Sequence, residues 1–113
     1  MATNEEQVAR NEVLFREFNE RVEDVADSFD IRGEGDSMTI DFVCECGRTD
    51  CLERIPVTRR QYESVRSNPR RFLSARGHED PEVARVVEDH PDFLVVEKLD
   101  EAAEVAVEND PRA

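Results

Sequence analysis

Three cysteines fall within eight residues, Cys44, Cys46 and Cys51, and the chain has no others. An odd number cannot close into a disulfide framework, and clustered thiols in a reducing compartment do metal or redox chemistry. A redox reading makes Cys44 and Cys46 an exchanging pair. C-x-C closes a strained small ring, however, and no thioredoxin-like strand-to-helix start surrounds it. Burial as small hydrophobes, common for cysteine, fits poorly with a loop that carries Glu45, Arg48, Asp50 and Glu53. Metal is the better reading. Zn²⁺ takes four ligands at tetrahedral corners, and three thiolates on one tight loop supply three of them. Gly47 allows the bend that lets Cys46 and Cys51 converge. His78, after Gly77 in a loop, is the first candidate for the fourth ligand, and His90, before Pro91, is the reserve. Glu45 or Asp50 could also close the site, and a water would do so in a catalytic centre. The expectation is one Zn²⁺ per chain on Cys44, Cys46, Cys51 and His78.

The elements around this loop predict how it is held. Residues 38–43 alternate apolar and polar, and so do 52–57, with Pro56 implying an edge or a strand end. The two runs form a hairpin with the cysteines at its tip. Thr58 and Gln61 have the form of a capping box, predicting a helix to about residue 67 with Tyr62 and Val65 inward and Asn68-Pro69 as its stop. Residues 72–75 read as extended and 93–98 as a strand. The stretch 82–89 reads either as a helix, with Asp80-Pro81 at its start, or as the other arm of a hairpin. Asp100 caps a last helix over 101–108. Upstream, residues 5–27 form a long helix with Asn4 as N-cap. Val8, Phe15, Val22 and Phe29 recur at sevens, and Phe18 and Val25 fill the second seam. Glu12→Arg16 and Glu17→Arg21 stand in the favourable order for pairs four apart. Such a stripe is first read as packing on the core, with pairing to another helix as the alternative. Residues 31–37, with two glycines, form a turn. The fold class is α+β: a long N-terminal helix, a zinc-tipped β-hairpin, a short central helix, further strands and a C-terminal helix. Residues 1–113 form one small domain, with a helix over 1–30 and a zinc-stabilised α+β body over 36–113.

The string C-E-C-G-x-x-D-C-x-E-R-I is followed by Pro69-Arg70-Arg71-Phe72, by Gly77-His78-Glu79 and by Val95-Val96-Glu97-Lys98. Together they resemble a group of short, functionally uncharacterised proteins of high-GC Gram-positive bacteria. The resemblance runs from Arg10-Asn11-Glu12 to Lys98. It implies that Cys44, Cys46, Cys51 and His78 belong to a shared pattern, and it brings no activity with it.

Charge limits the functions further. The formal net charge is −13, with 28 acids against 15 bases. Yet residues 54–78 hold seven arginines and one acid. This basic middle either folds against its acidic flanks or offers Arg59, Arg60, Arg66, Arg70 and Arg71 to an anionic partner. The acidic total disfavours nucleic acid, which both flanks would repel. No phosphate-cradling glycine loop, nucleophile elbow or H-E-x-x-H motif is present, so an enzyme is not expected; a zinc hydrolase or thiol redox protein is the remote alternative. Residues 1–6 lack the basic start and apolar stretch of a secretory signal, and no run approaches the ~18 residues of a membrane span. The expected protein is cytoplasmic, off the membrane and zinc-stabilised, and serves as a regulatory or protein-interaction module. Its partner is another protein, with homodimerisation through the N-terminal helix as one form. A nucleic-acid-binding zinc module built on segment 54–78 is the alternative.

Overall fold

Period-two alternation near the cysteines produces two antiparallel strands, β1 (Thr39–Val43) and β2 (Arg54–Thr58), in register from Thr39↔Thr58 to Val43↔Arg54. These details come from a computed structural model that describes residues 4–28, 39–48, 51 and 53–112. Phe42, Ile55 and Val57 turn inward, while Asp41 and Pro56 face water. Pro56 lies in a two-stranded sheet, where a missing N–H on the outer edge leaves no third strand unsatisfied. The capping box forms as its residue types demand. The Gln61 amide donates to Thr58 Oγ1 at 3.1 Å, and the Thr58 amide donates to Gln61 Oε1 at 2.8 Å. They start α2 (Arg59–Arg66), whose Tyr62 and Val65 are buried.

Strands β3 (Arg71–Ser74), β4 (Ala84–Asp89) and β5 (Leu94–Lys98) form a second antiparallel sheet in the order β3-β5-β4. Stretch 82–89 is therefore the arm of a hairpin, with a bulge between Val86 and Glu88. Asp80 does not start a helix; its Oδ1 accepts from the Glu82 amide in a turn. Because β5 is central, alternate residues serve opposite faces. Leu73 and Val95 join Phe42, Ile55, Val57, Tyr62 and Val65 in the larger core, which bridges the two sheets. Phe72, Leu94 and Val96 join Ala84 and Ala106 in a smaller one beneath α3 (Asp100–Glu108). Asp100 is not the cap of that helix. Leu99 holds the N-cap position without a side-chain bond, and Asp100 takes φ +50° within the first turn.

The first helix, α1 (Asn4–Ser28), reverses the expected orientation. The face against the body is polar: Asn11, Glu12, Arg16, Asn19 and Glu23 are buried. Leu14, Phe18 and Val25 are more than half exposed, and Val8, Phe15 and Val22 lie between the two faces. Neither expected pair four apart forms. Arg16 instead donates to the Pro69 and Ala106 carbonyls, both at 2.7 Å, and lies 4.6 Å from the Phe72 ring centre. Glu12 pairs with Lys98. Asn19 bonds both backbone groups of Val43, donating to its carbonyl and accepting from its amide, each at 2.9 Å. Glu20 takes Arg66 at 2.5 Å and Arg112 at 2.8 Å. These donors and acceptors lie on strand ends and loops that no apolar side chain could satisfy, so the polar stripe is the one that docks. Phe29 and the turn at 31–37 lie outside the described residues, as do both domain boundaries near 30 and 36.

Two predictions separate the faces of α1. In dilute solution, Asn19→Ala should cost about 2 kcal/mol by orphaning buried partners, whereas Phe18→Ala should stay within about 0.5 kcal/mol. Urea unfolding measures both, and a larger loss at Phe18 would mean that the stripe is inward. At the end of the chain, Arg112 bridges Glu20, Glu23 and Glu63. Its hydrogen bond to Glu63 holds that carboxyl down at about 2. A folded-state value below the unfolded one adds stability that is present above about pH 4.5 and lost as pH falls towards 2. Arg112→Ala should therefore cost about 1 kcal/mol at neutral pH, and the difference from wild type should close across that window.

Candidate metal centre

The hairpin register ends at Val43↔Arg54, and the chain between carries the three cysteines. The Cys44 amide still donates to the Glu53 carbonyl at 3.0 Å, and the Cys51 amide donates to the Arg48 carbonyl at 3.2 Å, closing the loop on itself. Gly47 takes φ +79°, a left-handed conformation that costs other residues about 1–2 kcal/mol. A Cβ there would also sit 2.5 Å from the Val8 carbonyl oxygen and 2.6 Å from Glu12 Cγ, so glycine is the residue that lets α1 rest on the loop. The fourth side chain arrives from the β3–β4 connection. Gly77, with φ +87°, turns the chain there, and the His78 amide donates to the Ala75 carbonyl at 3.1 Å.

One ligand atom from each of Cys44, Cys46, Cys51 and His78 lies within 4.8 Å of all the others, the single such cluster among the described residues. His78 Nδ1 stands 3.3 Å from Cys51 Sγ and 3.7 Å from Cys44 Sγ. A tetrahedral zinc with ordinary bond lengths sets its nitrogen and sulfur ligands roughly 3.5 Å apart. The two His78 distances bracket that value, and Nδ1 is the ring atom that faces both sulfurs, so the four side chains could hold a metal ion. His90 is elsewhere: it stacks on Phe93 with centroids 4.3 Å apart and bonds Glu88 through Nε2 at 2.9 Å. Asp50 lies outside the described residues.

Electrostatics favour a cation here. The Ala75 amide donates to Cys44 Sγ at 3.1 Å, and the backbone at Arg48 and Glu53 favours the deprotonated forms of Cys46 and Cys51. Such donors stabilise thiolates. The hydrogen bond from Cys44 pulls Cys46 down to about 4, while that bond and burial push Cys44 far up. Burial, and then the neighbouring Cys46, also push Cys51 up. Protons are shared because three negative sulfurs cannot coexist at this distance unaided, and a divalent ion removes the conflict.

Glu45 is neither ligand nor accessible base. Its carboxylate is 1% exposed and turned into the core, where it accepts from Asn19 Nδ2 at 2.8 Å, the Tyr62 hydroxyl at 2.9 Å and the Leu73 amide at 2.9 Å. Burial raises its proton affinity, opposed by those donors. Asn11 Nδ2 adds a 3.0 Å bond to the Gly47 carbonyl. Asn11 and Asn19 were not singled out as supports of the site. For Asn19 a signal was nonetheless there, since Glu12, Arg16, Asn19 and Glu23 repeat at spacings of three and four. Beside Cys46 and His78 opens a cavity of about 600 Å³ whose lining includes the Glu12–Lys98 pair. Burial holds Glu12 up at about 7 despite that lysine.

The arginine segment does not gather into one surface. Arg66 is buried between Glu20 and Asp110, both at 2.5 Å, and Arg71 faces Glu97 at 3.5 Å. Arg59 is half-buried, while Arg60 and Arg70 are exposed. No described helix is long and apolar enough to cross a membrane.

Because α1 is seated on the cysteine loop through Asn11, Asn19 and Gly47, removing the metal should release the helix. Hydrogen exchange on the loaded protein and after chelation should show lost protection across residues 8–19, with the β3-β5-β4 sheet still protected. Unchanged α1 exchange in a protein shown to have lost its metal would disprove the coupling.

Comparison with known proteins finds no match, whether among protein families, curated proteins or solved structures.

Proposed function

We propose that this chain is a small cytoplasmic zinc domain whose metal is structural and whose role is to bind and regulate another protein. The carrying observation is the closure of Cys44, Cys46, Cys51 and His78 within 4.8 Å, drawn from two separate loops. Four protein ligands fill a tetrahedron and leave no open position for a reacting water. With Glu45 turned into the core, this supports a non-enzymatic centre. The ion links the β1–β2 loop to the β3–β4 loop, which is what a two-stranded hairpin needs, being marginal alone. The interaction role is supported by Leu14, Phe18 and Val25, which a helix of this length presents to solvent. The scattering of the arginines and the −13 total speak against nucleic acid as the partner.

Elemental analysis with native mass spectrometry tests the centre: one zinc should accompany each 13.0 kDa chain. Because ligand binding is linked to folding, Cys46→Ser should cost several kcal/mol and lose the ion. His78→Ala should weaken metal binding while His90→Ala leaves it unchanged. A metal-free chain that melts like the loaded one would defeat the structural role, and iron in place of zinc would change the metal but not the ligands.

A further inference from the structure

We propose that the partner on α1 is a second copy of this chain, paired antiparallel so that Leu14 of one helix faces Val25 of the other and Phe18 faces Arg21. This deepens the interaction reading above by naming the partner. It stands apart from the metal.

Leu14, Phe18, Arg21 and Val25 follow one another at intervals of four, three and four, the spacing of a helix–helix seam. All four are exposed, with Leu14 at 58%, Phe18 at 53% and Val25 at 56%. The apolar stripe is outward because the polar one is consumed by the body, so α1 enters solution with a seam already formed. Glu17 flanks it, and among the described residues neither Glu17 nor Arg21 has an ion-pair partner in the chain.

Arg21 selects the occupant and the direction. In a parallel pair it would face its own copy across the seam, placing like charges together. In the antiparallel register whose facing positions total 39, it falls on Phe18 of the partner helix and one position from the partner's Glu17. There the guanidinium can stack on the ring and pair with the carboxylate. The two-fold axis makes each of these contacts twice. At the Leu14 end the seam runs into a groove of about 700 Å³ between α1 and α3, lined by Val13, Leu14 and Val105. Val25 of the second helix reaches the mouth of that groove. A seam of three turns is a small interface, and small interfaces belong to weak, concentration-dependent pairs.

The test uses the metal-loaded full chain, with metal content measured in the same samples. Sedimentation velocity over a concentration series should show the mass rising from 13.0 kDa towards twice that value. Phe18→Glu should leave a monomer. Arg21→Glu should weaken association at least tenfold, and adding Glu17→Arg should restore it. For register, chains carrying Leu14→Cys mixed with chains carrying Val25→Cys should crosslink between those positions, located by peptide mass spectrometry. Leu14→Cys alone should not crosslink to itself. A chain that stays monomeric at every concentration overturns the proposal. If its Phe18→Glu variant is also destabilised, the stripe is covered from within the same chain. Self-crosslinking at position 14 overturns it in favour of a parallel pair. A chain that dimerises as described but carries no metal leaves this inference standing and removes the zinc reading instead.

Discussion

A carboxyl group set between two cysteines and shut away from water must find its donors inside the protein, and Glu45 finds them on three elements. Asn19 belongs to α1, Tyr62 to α2 and the Leu73 amide to β3. An unpaired charge at such a site would cost several kcal/mol, so the three elements are constrained to meet at this point. The meeting also fixes the cysteine loop. The Glu45 amide donates to the Leu73 carbonyl at 2.8 Å, which sets Cys44 below Ala75 and within reach of its N–H. The geometry of the cluster is therefore organised from the core outward: its sulfurs are aimed by a residue that is not one of the four candidate ligands.

The same demand explains why α1 docks by its polar side. The hairpin end, the cysteine loop and the turn after α2 expose carbonyls and amides at Val43, Gly47 and Pro69, and β5 ends in a buried lysine. Asn11, Glu12, Arg16 and Asn19 satisfy them in order along the helix. Lys98 and Arg16 both lie near the Phe72 ring, at 5.4 and 4.6 Å from its centre, so the cations gain aromatic contact as well as hydrogen bonds. Long stems carry apolar surface to the small core even though their ends are charged. A helix seated this way depends on geometry at each hydrogen bond, whereas an apolar face would tolerate sliding.

Local chemistry was readable from the residues, and long-range polar pairing was not. Thr58 and Gln61 cap α2 because both partners lie within one turn. Tyr62 and Val65 turn inward because their spacing requires it, and Cys44, Cys46 and Cys51 meet His78 because no other residue types in the chain suit that role better. What failed were inferences about which partner a polar group would choose. Glu12 was assigned to Arg16 four residues away, but its partner is Lys98, eighty-six residues on. Phe18 and Val25 were read first as an inward seam, with helix pairing as the alternative, although a polar stripe of equal regularity ran along the opposite side. Asp100 was read as a cap from its type, but the strand ahead delivers Leu99 to that position. Stretch 82–89 stayed open between helix and strand because its fate depended on β5 having a free edge.

The charge pattern gives the remaining constraint on partners. In the basic middle, Arg66, Arg71 and Arg76 are taken up by Glu20, Asp110, Glu97 and Asp89, so part of its charge is neutralised within the fold. The acidic excess remains on the surface, and two such chains repel each other at long range. Repulsion between surfaces is screened over about 8–10 Å at ordinary ionic strength, whereas an apolar seam and a pair in contact lose far less. Added salt thus acts in opposite senses on the two kinds of partner: it weakens any contact with phosphates by removing the gain from counterion release, and it relieves the repulsion that holds two acidic chains apart. For a domain with an acidic total and an apolar stripe outside, the second balance is the relevant one.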